Sequence, residues 1–318
     1  MTPSRHESRV SGKFAFPRWG QSVLVAGLVF LAPSADGAFA AETTADARAS
    51  LFAYDRTADF AIQEKSATTR DDATVRDLTF FSVPGEKFGR IAAYIVAPRR
   101  GSARATILWV HWLGEPATTN RTEFLDEAVA LASRGVVSLL VDSMWAKPNW
   151  YRDRVLDLDL KGGLAQVAAL RRALDLLQQR PGAARLALAI VGHDYGGMYA
   201  TVAAAQEPRA KTCVFIACTP SLLDWAFFTQ KPASMDDYVR ENAPLDLRPH
   251  LAAIRDASML FQFAEQDRYV PLAKAQEFFA VAPNPKQMIV YGGAGHDMTK
   301  PAAIRQDRTA WLIRELGL

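Results

Sequence analysis

The chain has 318 residues, of which 49% are hydrophobic and 22% are charged, a composition that supports a large buried core. Its formal net charge of +3 gives no indication of a nucleic-acid partner or of binding to an anionic membrane surface. The two cysteines, Cys213 and Cys218, are interpreted as buried thiols, and because no CxxC or HExxH spacing occurs, the sequence predicts neither a metal site nor a cofactor.

The first 40 residues have the three parts of a secretory signal peptide. Four basic residues precede a short apolar run at 22–32, and Ala38-Phe39-Ala40 then provides a cleavage site. The apolar run is shorter than the about 20 residues that a membrane-spanning helix needs. We therefore expect residues 1–40 to be removed and the mature protein to be periplasmic or secreted, without stable membrane association. An uncleaved anchor or a disordered tail is the alternative.

Residues 41–74 are interpreted as an N-terminal extension, and from Val75 onward strand and helix patterns alternate, as a mainly parallel sheet requires. Strands at 75–83 and 88–97 predict an antiparallel hairpin joined through Pro84-Gly85. The later patterns predict strands at 105–112, 136–141, 186–191, 211–218, 259–263 and 287–291, and helices at 123–134, 160–180, 196–206, 274–280 and 302–316.

One predicted strand runs directly into an Ala-rich predicted helix through Gly-His-Asp-Tyr-Gly-Gly, residues 192–197. The glycines allow the strand and the helix to approach closely, because they have no Cβ. The first turn of a helix also favours negative charge, since its backbone N–H groups are unpaired. Asp194, at the centre of this turn, is therefore the candidate reactive residue.

Two later strand ends carry the residue types that assist a nucleophile. Asp267 emerges from a buried strand in Glu-Gln-Asp-Arg-Tyr-Val-Pro, just before a predicted helix. His296 follows the last predicted strand in the glycine-rich loop 292–296. Together with Asp194, these segments resemble the nucleophile elbow, acid turn and catalytic-histidine loop of α/β-hydrolases, in the same chain order.

The resemblance implies an α/β-hydrolase fold over residues 75–318, with a mainly parallel, doubly wound sheet, helices on both faces and a short lid. The overall layout is most similar to the dienelactone-hydrolase branch. The Gly-His-Asp-x-Gly-Gly turn instead resembles that of epoxide hydrolases and haloalkane dehalogenases, which normally carry a larger cap. Here the corresponding segment, 219–257, is expected to hold only one or two short helices.

The resemblance also locates an oxyanion hole and a pocket. The strand at 105–112 ends in His-Trp-Leu-Gly-Glu-Pro, and Trp112 stands where family members usually have glycine. The backbone N–H groups of Trp112 and Tyr195 are the candidate oxyanion-hole donors. The candidate substrate pocket consists of aromatic residues expected at the same edge of the sheet: Trp145, Trp150, Tyr151, Trp225 and Tyr238.

An aspartate nucleophile narrows the chemistry, because a carboxylate that attacks a saturated carbon displaces a halide or opens an epoxide and leaves an alkyl-enzyme ester. His296, oriented by Asp267, then activates the water that hydrolyses this ester. The sequence therefore predicts an exported hydrolase acting on a small apolar molecule. Two alternatives stay open: an ester or lactone hydrolase of dienelactone type, in which Asp194 acts as a base on water, and a non-catalytic ligand-binding protein. The oligomeric state is left open.

Overall fold

A computed structural model of the chain describes residues 50–82, 89–115, 119–179 and 183–318. The described strands are β1 (Gln63–Arg70), β2 (Ala73–Phe81), β3 (Arg90–Pro98), β4 (Ala105–Val110), β5 (Val136–Val141), β6 (Ala187–His193), β7 (Ala210–Ile216), β8 (Ser258–Ala264) and β9 (Lys286–Tyr291). They form one sheet in the order β1-β2-β3-β5-β4-β6-β7-β8-β9. The pairings from β1 to β5 are antiparallel and those from β5 to β9 are parallel, which confirms the predicted mainly parallel sheet.

Helices cover both faces of the sheet. The described α-helices are α1 (Leu125–Ala132), α2 (Trp150–Asp153), α3 (Asp159–Gln178), α4 (Tyr195–Ala205), α5 (Leu223–Ala226), α6 (Met235–Asn242), α7 (Leu247–Ala253), α8 (Leu272–Val281) and α9 (Ala303–Glu315). Short 3-10 turns lie at Met144–Ala146, Leu156–Leu158, Ala183–Arg185 and Ala243–Leu245. Among the described residues, no helix is long and apolar enough to cross a membrane.

The central strands separate two apolar cores. Side chains of β4 alternate between them: Leu108 and Val110 belong to the core beneath α3 and α4, whereas Ile107 and Trp109 belong to the core beneath α1 and α9. All four are at most 1% exposed. This alternation follows from the two-residue period of a strand, and burial on both sides explains why β4 reads as a continuous apolar run.

The predicted elements agree with the observed ones to within two residues at each end where both ends are described. The predicted antiparallel hairpin corresponds to β2 and β3, although its turn, Pro84-Gly85, lies outside the described residues, as does the predicted signal peptide, 1–40. Both cysteines are free and buried, as expected.

Two features differ from the sequence-based expectations. Strand β1 lies inside the segment interpreted as an N-terminal extension; all of its residues are exposed, so it has no apolar alternation to reveal it. The lid segment, 219–257, contains three short helices, α5, α6 and α7, instead of one or two. The lid is still short, and it lies on the carboxyl side of β7, next to the predicted reactive residues.

Candidate active site

Asp194 occupies a sharp turn between β6 and α4. Its backbone angles are φ 52° and ψ −121°, a conformation that is unfavourable for a residue with a Cβ and that occurs mainly at functional sites. The turn also requires glycine neighbours. A Cβ on Gly192 would lie 2.6 Å from the carbonyl oxygen of Gly196, and one on Gly196 would collide with the backbone of Val110 and His111. The strained backbone at Asp194 thus places its carboxylate at the edge of the sheet.

Asp267 and His296 form a hydrogen-bonded pair beside this turn. Nδ1 of His296 lies 2.8 Å from Oδ2 of Asp267, and because a carboxylate accepts, the imidazole proton is on Nδ1. Oδ1 of Asp267 accepts from the backbone N–H groups of Tyr269 and Val270, at 2.8 and 3.0 Å. Burial alone would raise the pKa of Asp267, but these hydrogen bonds hold it below its ordinary value. Asp267 is therefore an ionised residue that orients His296.

The Asp194 carboxylate is completely buried. Its Oδ2 accepts a hydrogen bond of 3.0 Å from the backbone N–H of Leu113. Burial raises the pKa of Asp194 to about 7, against the opposing attraction of His296 and hydrogen bonding from the backbone of Tyr195 and Leu113. A carboxylate with little solvation is a stronger nucleophile and a stronger base than one in water.

Of the two predicted oxyanion-hole donors, the backbone N–H of Tyr195 hydrogen-bonds to the Asp194 carboxylate, whereas that of Trp112 does not. The backbone N–H of Trp112 donates to Oε2 of Glu123 at 2.9 Å, so it does not face Asp194. Leu113, one residue further along the loop, supplies that N–H group instead. The indole of Trp112 stacks against His193, with ring centroids 5.5 Å apart.

In the described part of the chain, eight buried side-chain polar atoms have no hydrogen-bond partner, and two of them are Oδ1 of Asp194 and Nε2 of His296. Buried polar atoms are normally paired, so each such atom calls for an explanation. The lone pair of Nε2 is free because the proton of His296 is on Nδ1. Oδ1 is thus available to attack a substrate, and Nε2 is available to accept a proton.

Aromatic rings enclose His296. The ring of Trp225 lies 5.2 Å from it, that of Tyr269 lies 5.0 Å from it and that of Trp112 lies 5.6 Å from it, measured between centroids. The indole nitrogen of Trp225 is buried and unpaired in the described structure. Tyr269 was not among the predicted pocket residues, although its position two residues after Asp267 could have suggested it.

A cavity of about 660 Å³ lies between α3, α4 and the lid. Of the predicted pocket residues, Trp150 and Tyr238 line it, and so does Tyr195, the residue that follows Asp194. Most of the lining is apolar. Neither Asp194 nor His296 lines the cavity, although Tyr195 does.

The remaining predicted pocket residues have other positions. Trp145 is 1% exposed, and its indole N–H donates to the carbonyl oxygen of His111 at 3.2 Å. It thereby supports the loop that follows β4, residues 111–115, which is called here the oxyanion loop. The hydroxyl of Tyr151 donates to the carbonyl oxygen of Trp225, which ties α2 to the lid. Trp225 covers His296 instead of lining the cavity. These large aromatic residues hold the site together, and only some of them face open space.

Within the described residues, no group of three or more His, Cys, Asp or Glu side chains is arranged to hold a metal ion.

The fold is similar to that of several solved structures. Acetyl xylan esterase 1 from Thermoanaerobacterium sp. superposes with a TM-score of 0.68 at 17% identity, covering 85% of this chain and 93% of that one. Dienelactone hydrolase from Anabaena variabilis has a TM-score of 0.54 at 21% identity, covering 76% and 98%. The esterase domain of a Rhodothermus marinus protein has a TM-score of 0.55 at 20% identity, also covering 76% and 98%.

No protein-family model and no curated protein matches the sequence. At these identities, structural similarity establishes the fold and leaves the reaction to be argued from the site. The chain has the α/β-hydrolase fold with a layout like that of dienelactone hydrolase.

Proposed function

We propose that this protein is a hydrolase in which Asp194 attacks a saturated carbon of a small apolar epoxide or halide. The observation that carries the proposal is the position of Oδ2 of Asp194, which accepts the Leu113 N–H. In a serine hydrolase, such backbone donors hold an oxygen of the substrate. Here the nucleophile's own oxygen occupies them, an arrangement that suits a reaction in which the second step takes place at the Asp194 carboxyl carbon.

In the first step, Oδ1 of Asp194 forms a bond to the substrate carbon as the carbon–halogen or carbon–oxygen bond breaks. The bonding electrons leave with the halide ion or with the epoxide oxygen, which then takes a proton from water. The product is an ester between Asp194 and the substrate. Oδ1 has no competing hydrogen bond in the described structure, so no existing interaction has to be broken.

In the second step, Nε2 of His296 removes a proton from water as the hydroxyl adds to the carboxyl carbon of Asp194. Negative charge then develops on Oδ2, where the backbone N–H of Leu113 stabilises it, and the backbone N–H of Tyr195 also hydrogen-bonds to the Asp194 carboxyl group. The leaving alkoxide recovers the proton from His296 and departs as an alcohol. Asp194 loses its remaining proton to solvent, while Asp267 stabilises the transient imidazolium.

The cavity beside Tyr195 favours an apolar substrate. Its volume of about 660 Å³ is within the range of small-molecule sites. Leu158, Leu223 and Val239 are among its apolar lining residues. We propose that it holds the part of the substrate that does not react, and that the side chain of Tyr195 moves to let the reactive carbon reach Asp194.

Ester or lactone hydrolysis is the second candidate. It is favoured by the likeness to solved esterases, and by the pKa of Asp194 of about 7, which is suited to a general base working near neutral pH. In that reaction, Asp194 would remove a proton from water, and water would attack the substrate directly. No covalent bond to Asp194 would then form.

The substitution His296→Gln distinguishes the two candidate reactions. On the proposed route, 1,2-epoxyhexane or 1-bromohexane reacts once with Asp194, and the ester accumulates because its hydrolysis lacks a base. Mass spectrometry should then show an adduct on the Asp194 peptide, whereas His250→Gln, a substitution in α7, should turn over without one. An active wild-type protein that hydrolyses 4-nitrophenyl esters, with no adduct in the variant, would favour the second candidate. Binding without turnover of any of these compounds would favour the non-catalytic alternative.

We further propose export through the predicted signal peptide. N-terminal sequencing of protein from a periplasmic extract should give a start near Ala41, and an intact Met1 on membrane-bound protein would contradict it.

A further inference from the structure

Behind the triad lies a second acid–histidine pair, formed by Glu123 and His193 and called here the buried pair. Nδ1 of His193 is 2.7 Å from Oε1 of Glu123, and its Nε2 is 2.9 Å from the backbone carbonyl oxygen of His296. His193 is 1% exposed, and the Glu123 side chain is 16% exposed. The catalytic steps proposed above use neither residue.

The hydrogen bonds of the buried pair determine how many protons it holds. A carbonyl oxygen only accepts, so Nε2 of His193 carries a proton toward His296. Nδ1 faces a carboxylate oxygen at 2.7 Å, and two lone pairs at that distance would repel each other. A proton therefore lies between these two atoms as well. Because imidazole is a stronger base than a carboxylate, this proton belongs to His193.

The buried pair also connects three parts of the active site. His193 ends β6, immediately before Asp194. The remaining oxygen of Glu123, Oε2, accepts the backbone N–H of Trp112 at 2.9 Å, which fixes the oxyanion loop with the N–H of Leu113 turned toward Asp194. Through Nε2 of His193, the pair also holds the backbone of the catalytic-histidine loop.

We propose that the buried pair is an imidazolium–carboxylate positioning pair, which holds the oxyanion loop and the His296 loop in register with Asp194. The protonation of His193 is independent of what the protein catalyses, whereas the effect on the reaction rests on the proposed function. A charge-assisted hydrogen bond suits such a role because it is shorter and stronger than a neutral one. Loss of the contacts that orient metal-binding histidines typically lowers activity by about 10- to 100-fold, and we expect an effect of that size here.

The substitution Glu123→Gln separates the charge from the geometry. The Gln oxygen can accept the Trp112 N–H while its NH₂ group donates to Nδ1 of His193, which then becomes neutral with its proton on Nε2. All three hydrogen bonds of the pair are thereby kept. Glu123→Leu, of similar size, removes two of them and leaves the Trp112 N–H unpaired.

Nitrogen-15 NMR of histidine-labelled protein at pH 7 tests the proton directly, with His193 assigned through its contact with the Trp112 ring. The expected result is two protonated ring nitrogens in the wild-type protein and only Nε2 protonated in Glu123→Gln. A neutral His193 in the wild-type protein would overturn the assignment. This readout requires no substrate, so a failure of the proposed function would not affect it.

The positioning role is tested with the Nδ1 proton signal of His296 and with the rate at which 1,2-epoxyhexane labels Asp194 in the His296→Gln background. We expect Glu123→Gln to leave the His296 Nδ1 proton signal of the otherwise wild-type protein in place. In the His296→Gln background, it should keep the labelling rate within about threefold of that of His296→Gln alone. Glu123→Leu should shift the His296 signal and slow labelling by about 10- to 100-fold. A folded Glu123→Leu protein with an unchanged His296 signal would overturn the positioning role. If that variant does not fold, the Glu123→Gln variant provides the test instead. Disappearance of the His296 Nδ1 proton signal in Glu123→Gln, which keeps all three hydrogen bonds of the pair, would also contradict the positioning role.

Discussion

Replacing Asp194 by Asn should make the folded protein more stable at pH 8 while abolishing activity. The Asp194 carboxylate is completely buried, and burial raises its pKa from the ordinary 3.8 to about 7. Ionising it in the folded state is therefore harder than in the unfolded chain. Asn has the same shape, and its oxygen can accept the Leu113 N–H as Oδ2 of Asp194 does.

The size and pH dependence of this gain follow from linkage. A rise of about three pKa units corresponds to about 4 kcal/mol at about 1.4 kcal/mol per unit. Because the pKa is higher in the folded state, the wild-type protein has its full stability from this group below pH about 4 and loses it as the pH rises to about 7. The advantage of Asp194→Asn should therefore be small at pH 4, grow between pH 4 and 7, and stay constant above.

Urea unfolding at pH 4, 6 and 8 measures the free energy of unfolding of both proteins. Asp267→Asn serves as a control of opposite sign, because the pKa of Asp267 is lowered in the folded protein. That group stabilises the protein above its unfolded-state pKa, so its replacement should destabilise at pH 8. If Asp194→Asn were no more stable than wild type at pH 8, or if its gain were the same at every pH, the described environment of Asp194 would be wrong.

Two further predictions concern activity. Since the reactive form of Asp194 is the carboxylate, kcat/KM should fall about tenfold per pH unit below pH about 7, and a rate that stays constant down to pH 5 would contradict this. In the lid, Val239→Trp places an indole in the cavity and should lower kcat/KM for 1,2-epoxyhexane by about tenfold or more. Met235→Trp, on the same helix but outside the cavity, should not lower it. Equal effects of the two substitutions would argue against this cavity as the substrate site.

Strands β2 to β9, the main helices, and the turn and loops that carry Asp194, Asp267 and His296 could be predicted from the sequence because each is encoded locally. Buried strands read as apolar runs, and the turn around Asp194 needs glycines within a few residues of it. Strand β1 could not be predicted in this way, since its exposed residues have no apolar period. It pairs with β2 through backbone hydrogen bonds, which a side-chain pattern does not predict.

The details of the site depend on contacts between distant residues. Whether the backbone N–H of Trp112 or that of Leu113 faces Asp194 depends on Glu123, which accepts the Trp112 N–H from eleven residues further along the chain. Likewise, the ring of Trp225 covers His296 only because the lid folds back over the catalytic edge. A sequence identifies the aromatic residues at this edge of the sheet. Packing between distant residues then determines which aromatic ring lines the cavity and which one covers His296.

The most direct test of the central claim follows the oxygen atoms of Asp194. Hydrolysis of an alkyl-enzyme ester at the carboxyl carbon leaves one oxygen of the attacking water on Asp194, and the product takes its oxygen from the enzyme. The reaction is run in heavy-oxygen water with the enzyme in excess over 1,2-epoxyhexane or another compound that it turns over, and the peptide containing Asp194 is then weighed. We predict a mass increase on that carboxylate after a single turnover. Label found only in the product, at full conversion by the wild-type enzyme, would contradict covalent attack by Asp194.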